Sequence, residues 1–234
     1  MTAESNSAHL LGDGGPFAEA LDGFAPREAQ IRMAEAVENC LQDGTSMVVE
    51  AGTGIGKTLA YLVPAILSGE RVIISTGTKT LQDQLFFRDL PLVKEALDVP
   101  AVTALLKGRG NYLCLHRMHI ARTEGRLPSR DAVSELESVL DWSARTVDGD
   151  LSISGEVSEE SGLMPFVTST TDNCLGGECP EFDNCFVAKA RREAQDADIV
   201  VVNHHLLFAD MAIKQSGFGE VLPGAAAFIV DEAH

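Results

Sequence analysis

The chain has 234 residues, of which 45% are hydrophobic and 23% are charged. This composition is typical of a globular protein that buries a core in one large domain or two small ones. No apolar run approaches the roughly 20 residues that span a bilayer, and residues 1–23 lack the basic and apolar regions of a signal peptide. We therefore expect a cytoplasmic protein that does not act at a membrane.

The net charge of −17 argues mildly against a nucleic-acid-binding protein, because contacts to phosphate need Lys and Arg. The acidic excess is uneven, however, with nine acidic residues and no Lys or Arg between residues 147 and 184. The basic residues lie elsewhere in the chain. The sequence is therefore still consistent with a local basic groove on an acidic protein.

Hydrophobic spacing predicts how the chain begins. Residues 1–22 are rich in Gly, Ser and Asp at their start, and we expect them to be disordered. From residue 26 to residue 42, apolar side chains recur at helical spacing, which places Cys40 on the apolar face of a helix. We therefore expect Cys40 to be a core residue rather than a metal ligand.

Short apolar runs alternate with helical patterns along much of the chain. Strands are predicted at residues 46–51, 71–75, 199–202 and 226–230, with helices that begin near Lys57 and Lys79. This alternation favours a parallel sheet with helices on both faces. Residues 107–192 interrupt it, because they contain cysteines, are acidic in their second half and have few strand patterns. The sequence predicts an α/β domain from residues 23–106 and 193–234, with an insertion at residues 107–192.

A phosphate-binding loop is predicted at residues 51–58, where AGTGIGKT follows a predicted strand and opens a helix. Glycines let successive backbone N–H groups point at phosphate oxygens, and the start of the helix adds partial positive charge. Lys57 is expected to reach the β- and γ-phosphates of ATP, and the Thr58 hydroxyl to bind Mg²⁺. The predicted ATP-binding residues of this loop are Ala51, Gly52, Thr53, Gly54, Ile55, Gly56, Lys57 and Thr58.

Two carboxylates are expected to face this loop. Asp231 and Glu232 directly follow the strand predicted at residues 226–230. The carboxyl ends of parallel strands meet at one edge of the sheet, which is where ligands bind in such folds. Asp231 is then expected to hold Mg²⁺, and Glu232 to orient and deprotonate the attacking water. The predicted catalytic residues are Lys57, Asp231 and Glu232.

Four of the five cysteines form a spaced set. Fifty-nine residues separate Cys114 from Cys174, four separate Cys174 from Cys179, and five separate Cys179 from Cys185. Four thiolates suit either Zn²⁺ or an iron–sulfur cluster, and the spacing, which lacks a tight Cys-x2-Cys knuckle, favours the cluster. Spacing alone leaves both metals open. Buried free thiols are a further alternative, which the polar, Gly-rich surroundings of the last three cysteines disfavour.

Taken together, the motifs point to a family. GTGIGKT at residues 52–58, STGTKTLQ at 75–82, LKGRGNYLC at 106–114, NHHL at 203–206 and DEAH at 231–234 occur in this order. With the later cysteines, they resemble the DinG/XPD-type superfamily 2 iron–sulfur DNA helicases, most closely the bacterial YoaA branch. Ala51, where the strict phosphate-loop pattern has Gly, is also typical of superfamily 2.

The resemblance implies a RecA-like P-loop NTPase domain with an inserted cysteine-rich iron–sulfur cluster domain. It implies a [4Fe–4S] cluster carried by Cys114, Cys174, Cys179 and Cys185. It further implies 5′-to-3′ unwinding of DNA driven by ATP and Mg²⁺, with single-stranded and forked DNA as partners and protein partners unknown. Gln30 matches a Q-like motif that contacts adenine, and residues 76–80 match motif Ia, which contacts the DNA backbone in that family.

The resemblance also implies segments beyond residue 234, including a second motor domain whose arginines reach the γ-phosphate. We therefore expect the chain to be the first part of a helicase that serves DNA repair or replication, and not to unwind DNA alone. Two other functions stay open. They are a zinc-stapled nucleotide-binding regulator without motor activity, and a P-loop ATPase that remodels protein.

Overall fold

The computed structural model of the chain describes residues 6–21, 23–52, 54–215 and 221–233. Two predicted site residues, Thr53 and the His234 that ends the DEAH motif, lie outside the described residues, as do residues 1–5. The chain forms two compact units. The first comprises residues up to Leu105 and from Ala194 onward, and the second comprises Leu106–Glu193. Within the described ranges, no helix combines the length and apolarity needed to cross a bilayer.

A parallel sheet forms the centre of the first unit. Its described strands are β1 (Val72–Thr76), β2 (Thr103–Leu105), β3 (Ile199–Asn203) and β4 (Ala227–Val230). They lie in the order β2-β3-β1-β4, and every pairing is parallel. All residues of β1 and β3 are buried, so helices and loops cover both faces of the sheet there. The predicted parallel α/β architecture is confirmed, and it fits a RecA-like fold.

The helices are distributed over both units. In chain order they are α1 (Asn6–Leu11), α2 (Pro16–Ala20), α3 (Glu28–Asp43), α4 (Lys57–Leu67), α5 (Lys79–Gln84), α6 (Leu90–Leu97), α7 (Leu115–Glu124), α8 (Arg130–Ser143), α9 (Leu151–Ser154), α10 (Met164–Val167), α11 (Phe186–Asp196) and α12 (His204–Gln215). A π-helical turn at Leu85–Asp89 joins α5 to α6. In the first unit, α3 packs on α4, and together with β1 and β3 they enclose the core.

The N-terminal helices α1 and α2 belong to this same core. Leu11 and Phe17 are fully buried there, and the backbone N–H of Ser7 donates to a carboxylate oxygen of Glu38 on α3 at 3.0 Å. Residues 6–21 therefore differ from the disordered N-terminus that the sequence indicated. Each helix is too short to be stable alone, so its order comes from tertiary contact rather than from local pattern.

Three of the four predicted strands are present as β1, β3 and β4, with ends within one residue of the prediction. The strand predicted at residues 46–51 is wrong, because these residues are irregular in the structure and Val48 is completely exposed. An apolar run predicts burial, but a strand also needs a neighbour with which to exchange hydrogen bonds. The three-residue strand β2 was not predicted.

The second unit is helical in its described part, apart from one antiparallel bridge between Tyr112 and Asp150. The helix α7 packs against α8 and α10. Large apolar side chains are almost fully buried here, among them Leu113, Met118, Leu151, Leu163 and Val167. The insertion therefore has an apolar interior of its own, although its second half is acidic.

Phe17→Ala tests whether the N-terminal helices pack as described. We expect it to lower the free energy of unfolding by about 3 to 5 kcal/mol, because a fully buried ring leaves a cavity. Phe228→Ala is the matched control, and with 52% of that residue exposed it should change stability by only about 0.5 kcal/mol. Chemical denaturation followed by circular dichroism measures both. Equal losses would show that α2 does not pack in solution.

Candidate functional site

Near its end, the predicted phosphate loop has a position, Gly56, that favours glycine over any other residue. Gly54 and Gly56 have left-handed backbone angles, with φ of 80° and 84°, and α4 begins directly after them at Lys57. A β-carbon at Gly56 would lie 2.1 Å from Nε2 of Gln30. Gly56 is therefore required both by its backbone conformation and by the close approach of a neighbouring side chain. The remaining described loop residues, Ala51, Gly52 and Ile55, are partly buried or exposed.

Two side chains at the start of α3 hold this loop. Arg27 Nη1 donates to the carbonyl oxygen of Gly54 at 2.6 Å, and Gln30 Nε2 donates to that of Gly56 at 3.0 Å. Gln30 is only 2% exposed, yet its side-chain oxygen Oε1 has no hydrogen-bond partner among the residues that the structure describes. Leaving a buried acceptor without a donor costs free energy. Binding of a ligand that places a hydrogen-bond donor beside Oε1 is therefore favoured.

The predicted lysine and carboxylates meet as expected from the sheet. The backbone N–H of Asp231 donates to the carbonyl oxygen of Ser75 at 2.9 Å, which extends the pairing of β4 with β1 by one residue. The next residue, Glu232, then accepts a hydrogen bond from Lys57 Nζ at 3.0 Å. The hydrogen bond from Lys57 to Glu232 raises the lysine pKa, and partial burial opposes the shift. Glu232 itself has a left-handed φ of 56°, which is uncommon for a residue with a side chain.

Tyr61 is a site residue that the sequence analysis missed. Its hydroxyl donates to Asp231 Oδ2 at 3.1 Å. Burial, followed by the charge of Asp231, raises the Tyr61 pKa far above its usual value, so the hydroxyl stays protonated and donates. Tyr61 thus ties α4 to Asp231, one of the two predicted Mg²⁺ ligands. The only sequence indication was its position one helical turn after Lys57.

Two residues of the NHHL segment differ in role, since Asn203 caps a helix and His204 faces the candidate site. Asn203 Oδ1 accepts from the backbone N–H of Leu206 at 2.8 Å, which caps the start of α12. His204 instead turns toward the carboxyl end of β1, where its Nδ1 lies 2.7 Å from Ser75 Oγ. Its Nε2 is 3.4 Å from the carbonyl oxygen of Glu232. A β-carbon at Gly77, in the predicted DNA-contacting segment, would also touch His204 and Glu232.

The four spaced cysteines occupy the second unit. Cys114 directly precedes α7 and Cys185 directly precedes α11, so both lie at helix N-termini. Burial raises the Cys114 pKa, the backbone N–H of Arg117 lowers it, and the charges of the other three thiols, Cys179, Cys185 and Cys174, raise it further. A negative charge on any of these three thiols therefore disfavours ionisation of Cys114. Among the described residues, however, no three His, Cys, Asp or Glu side chains converge into a formed metal site.

Cys40 stands apart from that set, in the first unit. Its side chain is only partly buried, so the predicted core position is overstated. The Cys40 thiol donates to the carbonyl oxygen of Thr45 at 2.8 Å, just after the end of α3. This local hydrogen bond gives the thiol a partner within its own helix terminus.

Comparison with known proteins identifies the family. A family model for DEAD/DEAH box helicases matches residues 30–111, which include Gln30 and the phosphate loop. YoaA of Haemophilus influenzae, described as an ATP-dependent DNA helicase, is 49% identical over 234 residues, covering 100% of this chain and 37% of that protein. The chain belongs to the DinG/YoaA-type DEAD/DEAH-box helicases.

Two further relatives agree with this placement. YoaA of Escherichia coli is 55% identical over 221 residues, covering 94% of this chain and 35% of that protein. DinG of Mycobacterium tuberculosis is 39% identical over 235 residues, covering 91% of this chain and 34% of that protein. The chain therefore spans little more than a third of the length of the relatives it matches. A helicase domain of this family implies the use of ATP and Mg²⁺.

Gly56→Ala tests the geometry of the loop. We expect it to weaken Mg-ATP binding by at least about tenfold, because a left-handed alanine is strained and its β-carbon would displace Gln30. Gly69→Ala is the matched control, since Gly69 also has a positive φ but has open space around it. Calorimetric titration with a non-hydrolysable ATP analogue measures both affinities. If the two variants bound equally well, the close approach of Gln30 would not matter for binding.

Proposed function

We propose that this chain is the nucleotide-binding part of an ATP-dependent DNA helicase motor. One observation carries the proposal. Lys57 at the start of α4 contacts Glu232 at 3.0 Å, although 175 positions separate them in sequence. Together with the hydrogen bond from Tyr61 to Asp231, that contact gathers a cation and two carboxylates beside the start of α4, which carries Thr58, at the carboxyl edge of a parallel sheet. This is the set of groups that phosphoryl transfer from ATP requires.

Each group has a role in this proposal. The loop at residues 51–58 surrounds the phosphates with backbone N–H groups, and Lys57 leaves Glu232 to bind the β- and γ-phosphates. Thr58 and Asp231 hold Mg²⁺, while Tyr61 orients Asp231 by its hydrogen bond. Glu232 then orients and deprotonates the attacking water. The unpartnered oxygen of Gln30 suits the exocyclic amino group of adenine, which is a hydrogen-bond donor.

The DNA-related roles rest on the relatives and on the resemblance. Residues 76–80 are proposed to contact the backbone of single-stranded DNA. The parent protein is proposed to travel 5′ to 3′, to unwind forked substrates in DNA repair or replication, and to act in the cytoplasm. The contacts among Gly77, His204 and Glu232 support a link between bound DNA and the hydrolytic carboxylate. Unwinding itself is proposed to need further segments that the longer relatives contain.

Lys57→Ala tests the motor function. In a protein that extends this chain to the length of its relatives, we expect the variant to lose DNA-stimulated ATP hydrolysis, because the lysine ammonium no longer binds the γ-phosphate. Lys94→Ala, a lysine of α6 remote from the loop in sequence, should retain wild-type hydrolysis. Phosphate release with and without single-stranded DNA measures the effect. Residues 1–234 alone should bind Mg-ATP but hydrolyse it slowly. The arginines expected from a second motor domain, which are worth about 10³ to 10⁵ in rate, are then missing from the site.

A different outcome would contradict the proposal in a specific way. Retained DNA stimulation in Lys57→Ala would remove the phosphate loop from the mechanism. Robust hydrolysis by residues 1–234 alone would show that no further arginine is needed. Hydrolysis that responds to a protein but not to DNA would favour an ATPase that remodels protein.

The cysteine set suits an iron–sulfur cluster in the chemistry of its donors. Thiolates are soft, anionic ligands, and a cationic metal centre stabilises four of them together. Cys114 and Cys185 lie at the N-termini of α7 and α11, where the helix dipoles favour thiolates and an anionic ligand. We propose that Cys114, Cys174, Cys179 and Cys185 hold a [4Fe–4S] cluster. When bound, such a cluster supplies a redox-active crosslink of the insertion.

Cys174→Ser tests this cluster. We expect it to lose the brown colour and most of the iron and acid-labile sulfide, because a serine oxygen is a poor ligand for this soft site. Cys40→Ser is the matched control, since Cys40 bonds Thr45 in the other unit, and its iron content should equal that of the wild type. Metal analysis of anaerobically purified protein measures both. Stoichiometric zinc without iron or sulfide would instead support a zinc-stapled regulator.

A further inference from the structure

A short turn at residues 146–150, here called the clasp turn, lies in sequence between Cys114 and the three later cysteines. The turn closes on itself through its own polar groups. The backbone N–H of Gly149 donates to Thr146 Oγ1 at 3.0 Å, and that of Asp150 donates to Asp148 Oδ1 at 3.1 Å. Neither the phosphate loop nor the proposed metal ligands account for this turn.

One side of the clasp turn holds the segment that leads into Cys114. The backbone N–H of Leu113 donates to the carbonyl oxygen of Gly149 at 2.8 Å. Tyr112 forms an antiparallel bridge with Asp150. The two residues before Cys114 are therefore fixed against the turn by backbone pairing.

The other side holds the segment that follows Cys185. Phe186 is nearly buried, and its ring packs so closely on Gly149 that an added β-carbon would lie 2.2 Å from Cγ of the ring. One helical turn later, Lys189 Nζ donates to the carbonyl oxygen of Val147 at 2.7 Å. The start of α11, and with it Cys185, is thereby fixed to the same five residues.

A buried ion pair fixes Asp150, the last residue of the clasp turn. Lys107 Nζ lies 2.7 Å from Asp150 Oδ2, and the two side chains are 0% and 5% exposed. Lys107 Nζ also donates to Ser152 Oγ at 2.9 Å, and both the backbone N–H and the hydroxyl of Ser152 donate to Asp150 Oδ1. A buried pair with its other hydrogen bonds satisfied constrains geometry strongly, because removing either member leaves an uncompensated charge.

We propose that the clasp turn preorganises the cysteine set, bringing Cys114 beside Cys185 before any metal binds, with Gly149 as the positioning residue. The identity of the metal rests on the proposed function, whereas the clasp does not. The Cys114 and Cys185 thiols are then brought together by protein contacts and not only by the metal. A ligand set fixed in advance loses less conformational freedom on binding.

Chemical crosslinking of the metal-free chain tests this proposal. Dibromobimane bridges two thiols by alkylating both, and peptide mass spectrometry identifies the pairs that contain Cys114. We expect Gly149→Ala to form Cys114 crosslinks at least about tenfold more slowly than the wild type, because its β-carbon displaces Phe186. Gly155→Ala should match the wild type, since Gly155 has a similar φ of 72° but open space around it.

Two further measurements separate positioning from general damage. Binding of Mg-ATP should be unchanged in both glycine variants, because the phosphate loop belongs to the other unit. Cobalt(II) titration should show weaker thiolate charge-transfer absorption in Gly149→Ala alone. An unchanged crosslinking rate in folded Gly149→Ala would overturn the clasp. If the metal-free wild type crosslinks as expected but anaerobically purified protein contains no iron, the cluster is contradicted and the clasp stands.

A milder variant covers the case in which Gly149→Ala does not fold. Lys189→Met removes only the hydrogen bond to Val147 and an exposed ion pair with Glu193. We expect it to slow Cys114 crosslinking by about twofold to fivefold, as the loss of one such hydrogen bond implies. Glu193→Gln removes the ion pair alone and should leave the rate unchanged. Equal rates in Lys189→Met and Glu193→Gln would overturn the proposal.

Discussion

The parallel pairing of β4 with β1 is the constraint on which the candidate site depends. Its register aligns Val72 with Ala227 and continues until Asp231 bonds to Ser75. Parallel strands deliver their carboxyl ends to a common edge, so the pairing brings two late carboxylates to a lysine near the start of the chain. A slip of this register by one residue would move each of the two side chains, Asp231 and Glu232, to the other face of the sheet. Glu232 would then be separated from Lys57.

The proposed metal site of the second unit also joins residues that are distant in sequence, but through other contacts. Under the proposed function Cys114 meets cysteines about sixty positions later, and the described part of this unit contains no strand ladder that would pair them. A self-closed turn, one backbone bridge and a buried ion pair take that role. An apolar interior around residues such as Met118 and Leu163 supports them. Metal binding would then add stability to an existing arrangement instead of creating the fold.

The sequence predicted what local pattern and motif determine, and missed what tertiary contact determines. The apolar runs of β1 and β3 were found because both faces of these strands are buried. Residues 46–51 have the same apolar pattern but no neighbour, which the pattern cannot reveal. Lys57 and Glu232 follow from motifs, whereas the link from Tyr61 to Asp231 arises only when α4 meets the end of β4. The Asp150 pair was equally invisible, since an acidic stretch predicts solvent exposure.

The exposed edge of the sheet has a practical consequence. Among the described strands β4 pairs only with β1, and its Phe228 and Val230 are 52% and 40% exposed. Such an apolar edge recruits other strands and promotes aggregation unless charges guard it. Asp231 and Glu232, which directly follow β4, are those gatekeepers. A substitution that neutralises either carboxylate to test its role in hydrolysis also removes a charge beside this edge. Precipitation of such a variant would then be mistaken for a loss of activity.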